Sequence, residues 1–416
     1  MPTLYSAAVL LFLASLFGLL SDRFLRLPRA IGLMVVALAA SLVVIIVDWL
    51  APPALTLQSW STYILQTQQL PAALFHGPLC FLLFAGALQA DAEALWQRQI
   101  TVFLLATIST LVATGLFAGG MWVIFNLVNT ALSVGWCLVL GAVLAPTDPV
   151  AVSAVLARVG LPTSLQAVIT GESLFNDGAA VVTLTASVGI AGGGDISWPH
   201  MGVGFVREIG GGAVIGLITG WIAYRFLQPM DDYPLEIMGS LALATGAYSL
   251  ATALGASGVI AVVIAGLILG HQALQEAMSD RTRQNLTLFW SVIDEVLNAL
   301  LFLVLGFEIL SVQVQWPVLL AGVVAVPLAL AVRAASVLVP TLLLHRHRAQ
   351  VWRGFAVLVW GGVRGGISVA LALSLPDSPE RSTILLVCYV VVLATILVQG
   401  LTMGRFTRRV FPAAAA

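Results

Sequence analysis

The sequence predicts an all-α polytopic membrane protein of about 13 transmembrane helices, with inverted repeats and two interrupted, crossing helices. Of its 416 residues, 60% are hydrophobic and 9% are charged, whereas a soluble domain carries about 25% charged residues. Apolar runs of about 20 residues recur from end to end, which is the length of a helix that crosses a bilayer. Two of these runs are broken by proline-rich or glycine-rich segments.

The predicted spans follow from the apolar runs and the polar breaks between them. They lie near residues 3–21, 31–50, 69–90, 100–127, 133–156, 162–190, 203–227, 234–252, 255–272, 287–311, 316–344, 351–375 and 382–404. The first run lacks a basic segment before it and a small-residue cleavage site after it, so we expect a span and not a signal peptide.

Arginine orients the chain, because all 18 basic residues are arginine. Most of them lie in loops after odd-numbered spans or in the tail, as at 23–29, 346–353 and 405–409. Positive charge marks the cytoplasmic side. We therefore expect the N-terminus outside, the C-terminus in the cytoplasm, and a location in the inner membrane of a bacterium.

The two interrupted spans are the fifth, broken by APTDP at 145–149, and the twelfth, broken by GGVRGG at 361–366. In lipid, broken helices are tolerated only where protein or a water-filled cavity covers the freed backbone groups. Span 5 starts outside and span 12 starts inside, so spans 4–6 and 11–13 run in opposite senses. This placement is typical of secondary transporters built from inverted repeats.

Polar residues concentrate at the first break and in GESLFNDGAAVV at 171–182. Thr147 and Asp148 lie between two prolines, where freed carbonyls, a hydroxyl and a carboxylate suit a hard cation. Ser173 and Asp177 are four residues apart on one helix face, so a proton and a metal ion could compete for them. Two alternatives stay open: Asp148 could cap the following half-helix, and Asp177 could pair with an arginine.

Glu172 is predicted to have a structural role. It lies five residues before Asp177, about 140° around the helix, so the two cannot easily share an ion. We expect Glu172 to pair with Arg364 of the second break, since a buried charge costs at least ~2.5–3.5 kcal/mol on insertion scales. Arg333 would pair with an acid of span 10, which the sequence does not identify.

APTDP, GESLFNDGAAVV and GGVRGGISVALAL, in this order, resemble the sodium/proton antiporters of the cation:proton antiporter-1 family. That family includes the bacterial NhaP-like proteins and the animal sodium/hydrogen exchangers. The resemblance implies a homodimer and one transmembrane exchanger domain at 1–411, with a short tail at 412–416. Spans 1–3 and 8–10 would form the dimerisation part, spans 4–6 and 11–13 the ion-binding core, and span 7 the linker.

The resemblance also implies roles for the site residues. Asn176 and Asp177 would be the ion-binding pair, with Asp177 as the single acidic carrier of electroneutral exchange. Thr147 and Ser173 would contribute ion-contacting oxygens, Asp148 the acid of the crossing helices, and Glu172 with Arg364 the stabilising pair. The metal ligands would be Asp177, Ser173 and Thr147. One departure is Ala85, where many relatives carry a glutamate, which leaves the choice of ion open.

The expected function is exchange of Na⁺ or Li⁺ for protons by alternating access. K⁺/H⁺ exchange on the same fold is the alternative, and a cation channel is less favoured because channels need a continuous pore. An enzyme is not expected, since no nucleophile–base grouping occurs within the spans. We expect no cofactor, no nucleotide and no nucleic acid, and as partners only membrane lipid and a second copy of the chain.

Overall fold

A computed structural model of the chain describes residues 2–50, 78–130, 132–148, 161–193, 198–228, 232–271, 279–310, 312, 314–344 and 349–411. All regular structure in these ranges is helical. The helices are α1 (Pro2–Leu20), α2 (Arg29–Leu50), α3 (Pro78–Gln89), α4 (Ala92–Gln97), α5 (Gln99–Leu104), α6 (Thr110–Leu127), α7 (Val134–Leu144), α8 (Thr163–Ala191), α9 (Trp198–Leu227), α10 (Tyr233–Ala253), α11 (Gly258–Ile268), α12 (Asp280–Phe307), α13 (Trp316–Leu344), α14 (Ala349–Trp360), α15 (Gly366–Leu373), α16 (Arg381–Ala394) and α17 (Leu401–Val410).

A helix occupies each of the thirteen predicted spans, although residues 69–77 of span 3 and 149–156 of span 5 lie outside the described residues. In the described ranges, eight helical stretches are long and apolar enough to cross a membrane, and four more are apolar but shorter. The prediction of an all-helical polytopic membrane protein is confirmed. The number of crossings and the inverted repeats stay predictions.

Short π-helical segments join two pairs of consecutive helices. A π-helical segment, Leu105–Ser109, joins α5 to α6, and another, Thr395–Gly400, joins α16 to α17. Such bulges open the ordinary hydrogen-bond ladder and occur frequently at functional sites. The second segment begins with Thr395, which contacts the twelfth span at its break.

Serine caps begin the helices that pack around the centre. Ser133 accepts from the backbone N–H of Trp136 at the start of α7, and Ser257 accepts from Ile260 at the start of α11. Each cap satisfies one backbone donor that the first turn of the helix leaves unpaired. Both helices are short, at 11 residues each, and a satisfied end lets them lie buried inside the bundle.

Glycines allow the closest helix contacts. Gly212 of α9 lies against the backbone of α11, since a Cβ placed there would come 2.6 Å from the carbonyl oxygen of Ser257. Gly216 faces Ala261 one turn further on, and Gly141 of α7 faces Thr114 of α6 in the same way. Small residues are typical of membrane helix interfaces because they let backbones approach. These contacts hold α11 against α9 and α7 against α6.

Both helix breaks occur where the sequence predicts them, and they meet. The helix α7 ends at Leu144, and the backbone of residues 145–148 is irregular. Between α14 and α15 the chain is irregular at 361–365. The backbone N–H of Asp148 donates to the carbonyl of Val363 at 2.8 Å, so one irregular segment provides the partner that the other lacks. Pro149 and Arg158 lie outside the described residues.

Gly365 makes this crossing possible. A Cβ at this position would collide with the side chain of Asp148. Its backbone is extended, with φ −124° and ψ −163°, so glycine is required here by space and not by a left-handed conformation. The GGVRGG pattern therefore serves both to end α14 and to admit Asp148 against the chain.

Candidate functional site

Five predicted site residues cluster beside the crossing of the two breaks. Thr147, Asp148, Ser173, Asn176 and Asp177 all have 6% or less of their surface exposed. The amide nitrogen of Asn176 donates to the hydroxyl oxygen of Thr147 at 2.9 Å, and the hydroxyls of Thr147 and Ser173 are 3.4 Å apart. These bonds join the first break to the middle of α8, so residues 26 to 29 positions apart in the chain share one site.

Two acceptor oxygens of this cluster have no donor. Oδ1 of Asn176 and Oδ1 of Asp177 are buried, and neither finds a hydrogen-bond partner among the described residues. A buried acceptor left unpaired costs about 1–3 kcal/mol. Since the amide nitrogen of Asn176 is already used on Thr147, its oxygen is the group left for a ligand. A bound proton or a hard cation would satisfy such oxygens.

The chemistry of the donors limits what can bind. The cluster offers carboxylate, amide and hydroxyl oxygens, which favour hard cations. In the described part of the chain, no three His, Cys, Asp or Glu residues converge to hold a metal ion. The carboxyl groups of Asp148 and Asp177 lie close enough for their charges to repel. A proton or a monovalent cation between them would relieve this repulsion.

The predicted pair between Glu172 and Arg364 is wrong. Glu172 forms a two-pronged ion pair with Arg333 of α13, in which Nη1 donates to Oε1 and Nη2 donates to Oε2, the latter at 2.9 Å. Nε and Nη2 of Arg333 also donate to the carbonyl of Leu358, at 3.2 and 3.1 Å. The partner of Arg333 is therefore an acid of span 6 and not of span 10. The pair ties together α8, α13 and α14.

Arg364 binds backbone carbonyls and not an acidic side chain, which explains why the predicted pair with Glu172 does not form. Its Nη1 donates to the carbonyls of Ala145 and Pro146, the second at 2.9 Å. These carbonyls follow the end of α7, where a helix leaves acceptors unpaired and carries partial negative charge. The guanidinium therefore compensates a helix end, and this use of Arg364 is invisible to a search for opposite side-chain charges.

Thr395 contacts the second break, and the sequence did not indicate this contact. Its hydroxyl accepts from the backbone N–H of Arg364 at 3.2 Å and donates to the carbonyl of Val392 at 3.0 Å. Thr395 is the first residue of a π-helical segment, so that segment begins at the contact with the break. A single threonine in an apolar run has no distinguishing signature, so no sequence signal pointed to it.

Ala85, where many relatives carry an acid, lies in apolar surroundings. It is fully buried in α3 and belongs to a hydrophobic group that includes Leu174 of α8 and Val263 of α11. Since this side chain is a methyl group, α3 presents no carboxylate to α8 at this position. Of the predicted polar residues, the structure thus brings five together, pairs Glu172 with a different arginine, and turns Arg364 toward backbone carbonyls.

Buried oxygens at the meeting point of two broken helices, in a polytopic all-helical protein, define a class: membrane transporters that bind an ion or small solute between interrupted helices. Residues 9–409 match the model of the transmembrane sodium/hydrogen exchanger. Because this match covers nearly the whole chain, the protein belongs to the sodium/hydrogen exchanger family. It is a transporter and not an enzyme.

Relatives with similar sequences agree with this assignment. The chain is 40% identical to the Na⁺/H⁺ antiporter NhaP of Pseudomonas aeruginosa, over 97% of this chain and 96% of that one. It is 32% identical to the Na⁺/H⁺ antiporter NhaH of Halobacillus dabanensis, over 92% and 91% of the two chains. The fold is similar to that of the sodium proton antiporter MjNhaP1 of Methanocaldococcus jannaschii at pH 8, with a TM-score of 0.75, 21% identity and 99% coverage of both chains.

Proposed function

We propose that the protein exchanges Na⁺ for H⁺ across the inner membrane, with Asp177 as the group that carries either ion. The observation that carries this proposal is the unpaired, buried carboxylate oxygen of Asp177 beside the unpaired amide oxygen of Asn176. Hydroxyls of Thr147 and Ser173 lie in the same cluster. The similar proteins NhaP and NhaH are both Na⁺/H⁺ antiporters, which supports the same chemistry.

Competition at one carboxylate couples the two ions. When Asp177 is deprotonated, its charge and the oxygens of Ser173 and Thr147 bind Na⁺. When it is protonated, the charge that attracts Na⁺ is gone and the cation leaves. The oxygen of Thr147 has two lone pairs, of which Asn176 occupies one. When the Thr147 hydroxyl donates to Ser173, the second lone pair is available to the ion. Asn176 thereby fixes the orientation of a ligand.

One carboxylate that exchanges one proton for one Na⁺ leaves the net charge of the site unchanged. We therefore propose electroneutral, one-for-one exchange. Asp148 is a second acid of the cluster, and in this scheme it keeps its charge state through the cycle while it is held at the crossing by Val363. Arg364, beside the same crossing, balances the helix end and takes no part in ion binding.

Movement would follow the alternating-access scheme of transporters with broken helices. Spans 4–6 and 11–13 would form the moving core as two inverted repeats, spans 1–3 and 8–10 would form a homodimer interface, and span 7 would link them. The N-terminus would face outward and the C-terminus the cytoplasm, in accord with the arginine distribution. Asp148 and Val363 join the two repeats, so the core would move as one body.

The test uses everted membrane vesicles and the variant Asp177→Asn, which keeps the size of the side chain and removes the charge. Na⁺ addition should release protons in vesicles with the parent protein and release none with the variant. Asp22→Asn is the matched control, since Asp22 is exposed near the end of the first span. Na⁺-dependent proton movement that survives in Asp177→Asn would exclude Asp177 as the carrier.

A second candidate is K⁺/H⁺ exchange, favoured by the methyl group of Ala85 where many relatives carry an acid. The same vesicles receive Na⁺, Li⁺ and K⁺ in turn at equal concentration. A proton response to Na⁺ and Li⁺ at lower concentration than to K⁺ supports the first proposal, and the reverse order supports the second. Unitary currents in planar bilayers would instead indicate a channel.

A further inference from the structure

A cavity of about 270 Å³ lies between the ends of five helices, and none of the five ion-cluster residues lines it. Its walls are mainly apolar and include Leu105, Val168, Leu358 and Phe411. Arg98 is the charged residue among those that line it, and Thr101, Ser164 and Thr341 add hydroxyls. A mainly apolar cavity with a few polar groups is the usual form of a small-molecule site. Neither the ion site nor the proposed exchange uses this space.

The helix ends around the cavity all lie on one side of the bundle. It is bounded by the starts of α5, α8 and α14, the end of α13, and Phe411, which follows α17. Arginines concentrate at the same ends: Arg353 is adjacent to the lining residue Gly354, and Arg408 and Arg409 lie in the last turn of α17. This is the face that the arginine distribution assigns to the cytoplasm.

We propose that the cavity binds an acyl chain of one anionic phospholipid from the cytoplasmic leaflet, with the lipid phosphate at Arg98. The apolar walls suit a hydrocarbon chain and do not suit a transported cation. Arg98 is exposed at the junction of α4 and α5, so its guanidinium can reach a headgroup while the chain enters between the helices. Basic pockets between helices on the cytoplasmic side bind anionic headgroups in this manner.

The cavity lies next to the Glu172–Arg333 pair, which gives the lipid an influence on transport. Leu358 lines the cavity, and its carbonyl accepts two hydrogen bonds from Arg333. Val168 lines it from α8, one helical turn before Glu172. A bound acyl chain would therefore pack α8 against α14 at the base of the ion site. This consequence rests on the proposed function and on its assignment of the cytoplasmic side.

The first test measures lipid binding without transport. The purified protein, stripped of lipid in detergent, is titrated with dioleoyl phosphatidylglycerol or dioleoyl phosphatidylcholine, and bound lipid is counted by native mass spectrometry. Gly354→Leu fills the cavity from α14, where an added Cβ meets only Leu165 at the ordinary distance of 3.7 Å. It should abolish the tightest phosphatidylglycerol adduct. Arg98→Gln should weaken that adduct about five-fold and leave phosphatidylcholine unchanged.

Two controls separate the cavity from general effects. Gly119→Leu adds the same side chain to a helix at an exposed glycine with open space around it, and Arg353→Gln removes a neighbouring exposed charge. Both should bind phosphatidylglycerol like the parent. If Gly354→Leu is not monodisperse, Ser164→Leu fills the cavity from α8. Unchanged phosphatidylglycerol binding in the filled variant, equal binding of both lipids by the parent, or equal binding of oleate alone would overturn the proposal.

The second test measures proton flux in phosphatidylcholine liposomes with and without phosphatidylglycerol. The parent should exchange faster when the anionic lipid is present, and Gly354→Leu should give the same rate in both. Lipid binding without any cation-dependent flux would refute the proposed function and leave the lipid site standing. Normal flux with no selective lipid binding would refute the lipid site alone.

Discussion

The buried ion pair between Glu172 and Arg333 can be broken from one side by a single substitution. Replacing Arg333 by methionine removes both bonds to the carboxylate and both bonds to the carbonyl of Leu358. Glu172, with 2% of its surface exposed, is then a buried charge without its partner. Breaking a buried pair from one side costs about 3–5 kcal/mol. We expect Arg333→Met to lower the free energy of unfolding by this amount.

The double variant Glu172→Leu/Arg333→Met should be more stable than Arg333→Met alone, because it leaves no unpaired charge. A double-mutant cycle between these positions should give a coupling energy of about 2 kcal/mol or more, within the range found for residues that share one network. The cycle between Glu172 and Arg364 should give a smaller value, since Arg364 donates to the carbonyls of Ala145 and Pro146.

The measurement is equilibrium unfolding of the purified variants in mixed micelles with a rising fraction of sodium dodecyl sulfate, followed by circular dichroism. Glu172→Leu, Arg333→Met, Arg364→Met and the two double variants complete both cycles. Arg353→Met, at an exposed position of α14, controls for loss of an arginine as such. A larger coupling for Glu172 with Arg364 than with Arg333 would refute the assignment of the pair.

Four further outcomes follow from the site. Gly365→Ala should abolish exchange because the added methyl collides with Asp148, whereas Gly119→Ala, which has open space around it, should not; normal flux in Gly365→Ala vesicles would contradict the crossing geometry. Thr147→Val should raise the Na⁺ concentration for half-maximal flux several-fold, since it removes a ligand oxygen, and an unchanged value would exclude Thr147 as a ligand. Thr395→Val should destabilise the protein by about 0.5–1.5 kcal/mol, because it removes the hydrogen bond to the Arg364 backbone. Unfolding in the same micelles measures this loss, and equal stability would show that the bond does not contribute. In the parent, the Na⁺ concentration for half-maximal flux should rise by about tenfold per pH unit on the acidic side, where protons occupy the shared carboxylate; a value independent of pH would contradict competition.

Much of the site could be predicted from local sequence. Ser173 and Asp177 are four residues apart on one helix, so their common face follows from helix geometry alone. The proline-flanked APTDP and the glycine-rich GGVRGG predict broken helices because of their backbone chemistry. These features depend on residues close together in the chain, so the local sequence pattern was sufficient to predict them.

The choice of charge partners could not be predicted in this way. Glu172 had two arginines available, and because Arg333 and Arg364 carry the same charge, charge matching alone does not choose between them. The crossing of the breaks turns Arg364 onto the carbonyls at the end of α7, and α13 then brings Arg333 to the carboxylate. Backbone carbonyls can accept hydrogen bonds from arginine as side-chain carboxylates do, but every residue has one, so the sequence does not show which carbonyls are available.

The sequence by itself determined that this protein is helical, that it lies in a membrane and that two of its helices are interrupted. It also determined that Asp177 lies in a polar segment flanked by apolar sequence. Length, composition and local periodicity decide these properties, because each depends on the solvent and the backbone near one residue. Only the tertiary structure decided which oxygens are left unpaired, which arginine meets Glu172, and where five helix ends enclose a cavity. Those properties depend on packing between segments that are far apart in the chain, such as Arg98 and Phe411 around the cavity. Small differences in helix position there select one partner among several of equal chemistry.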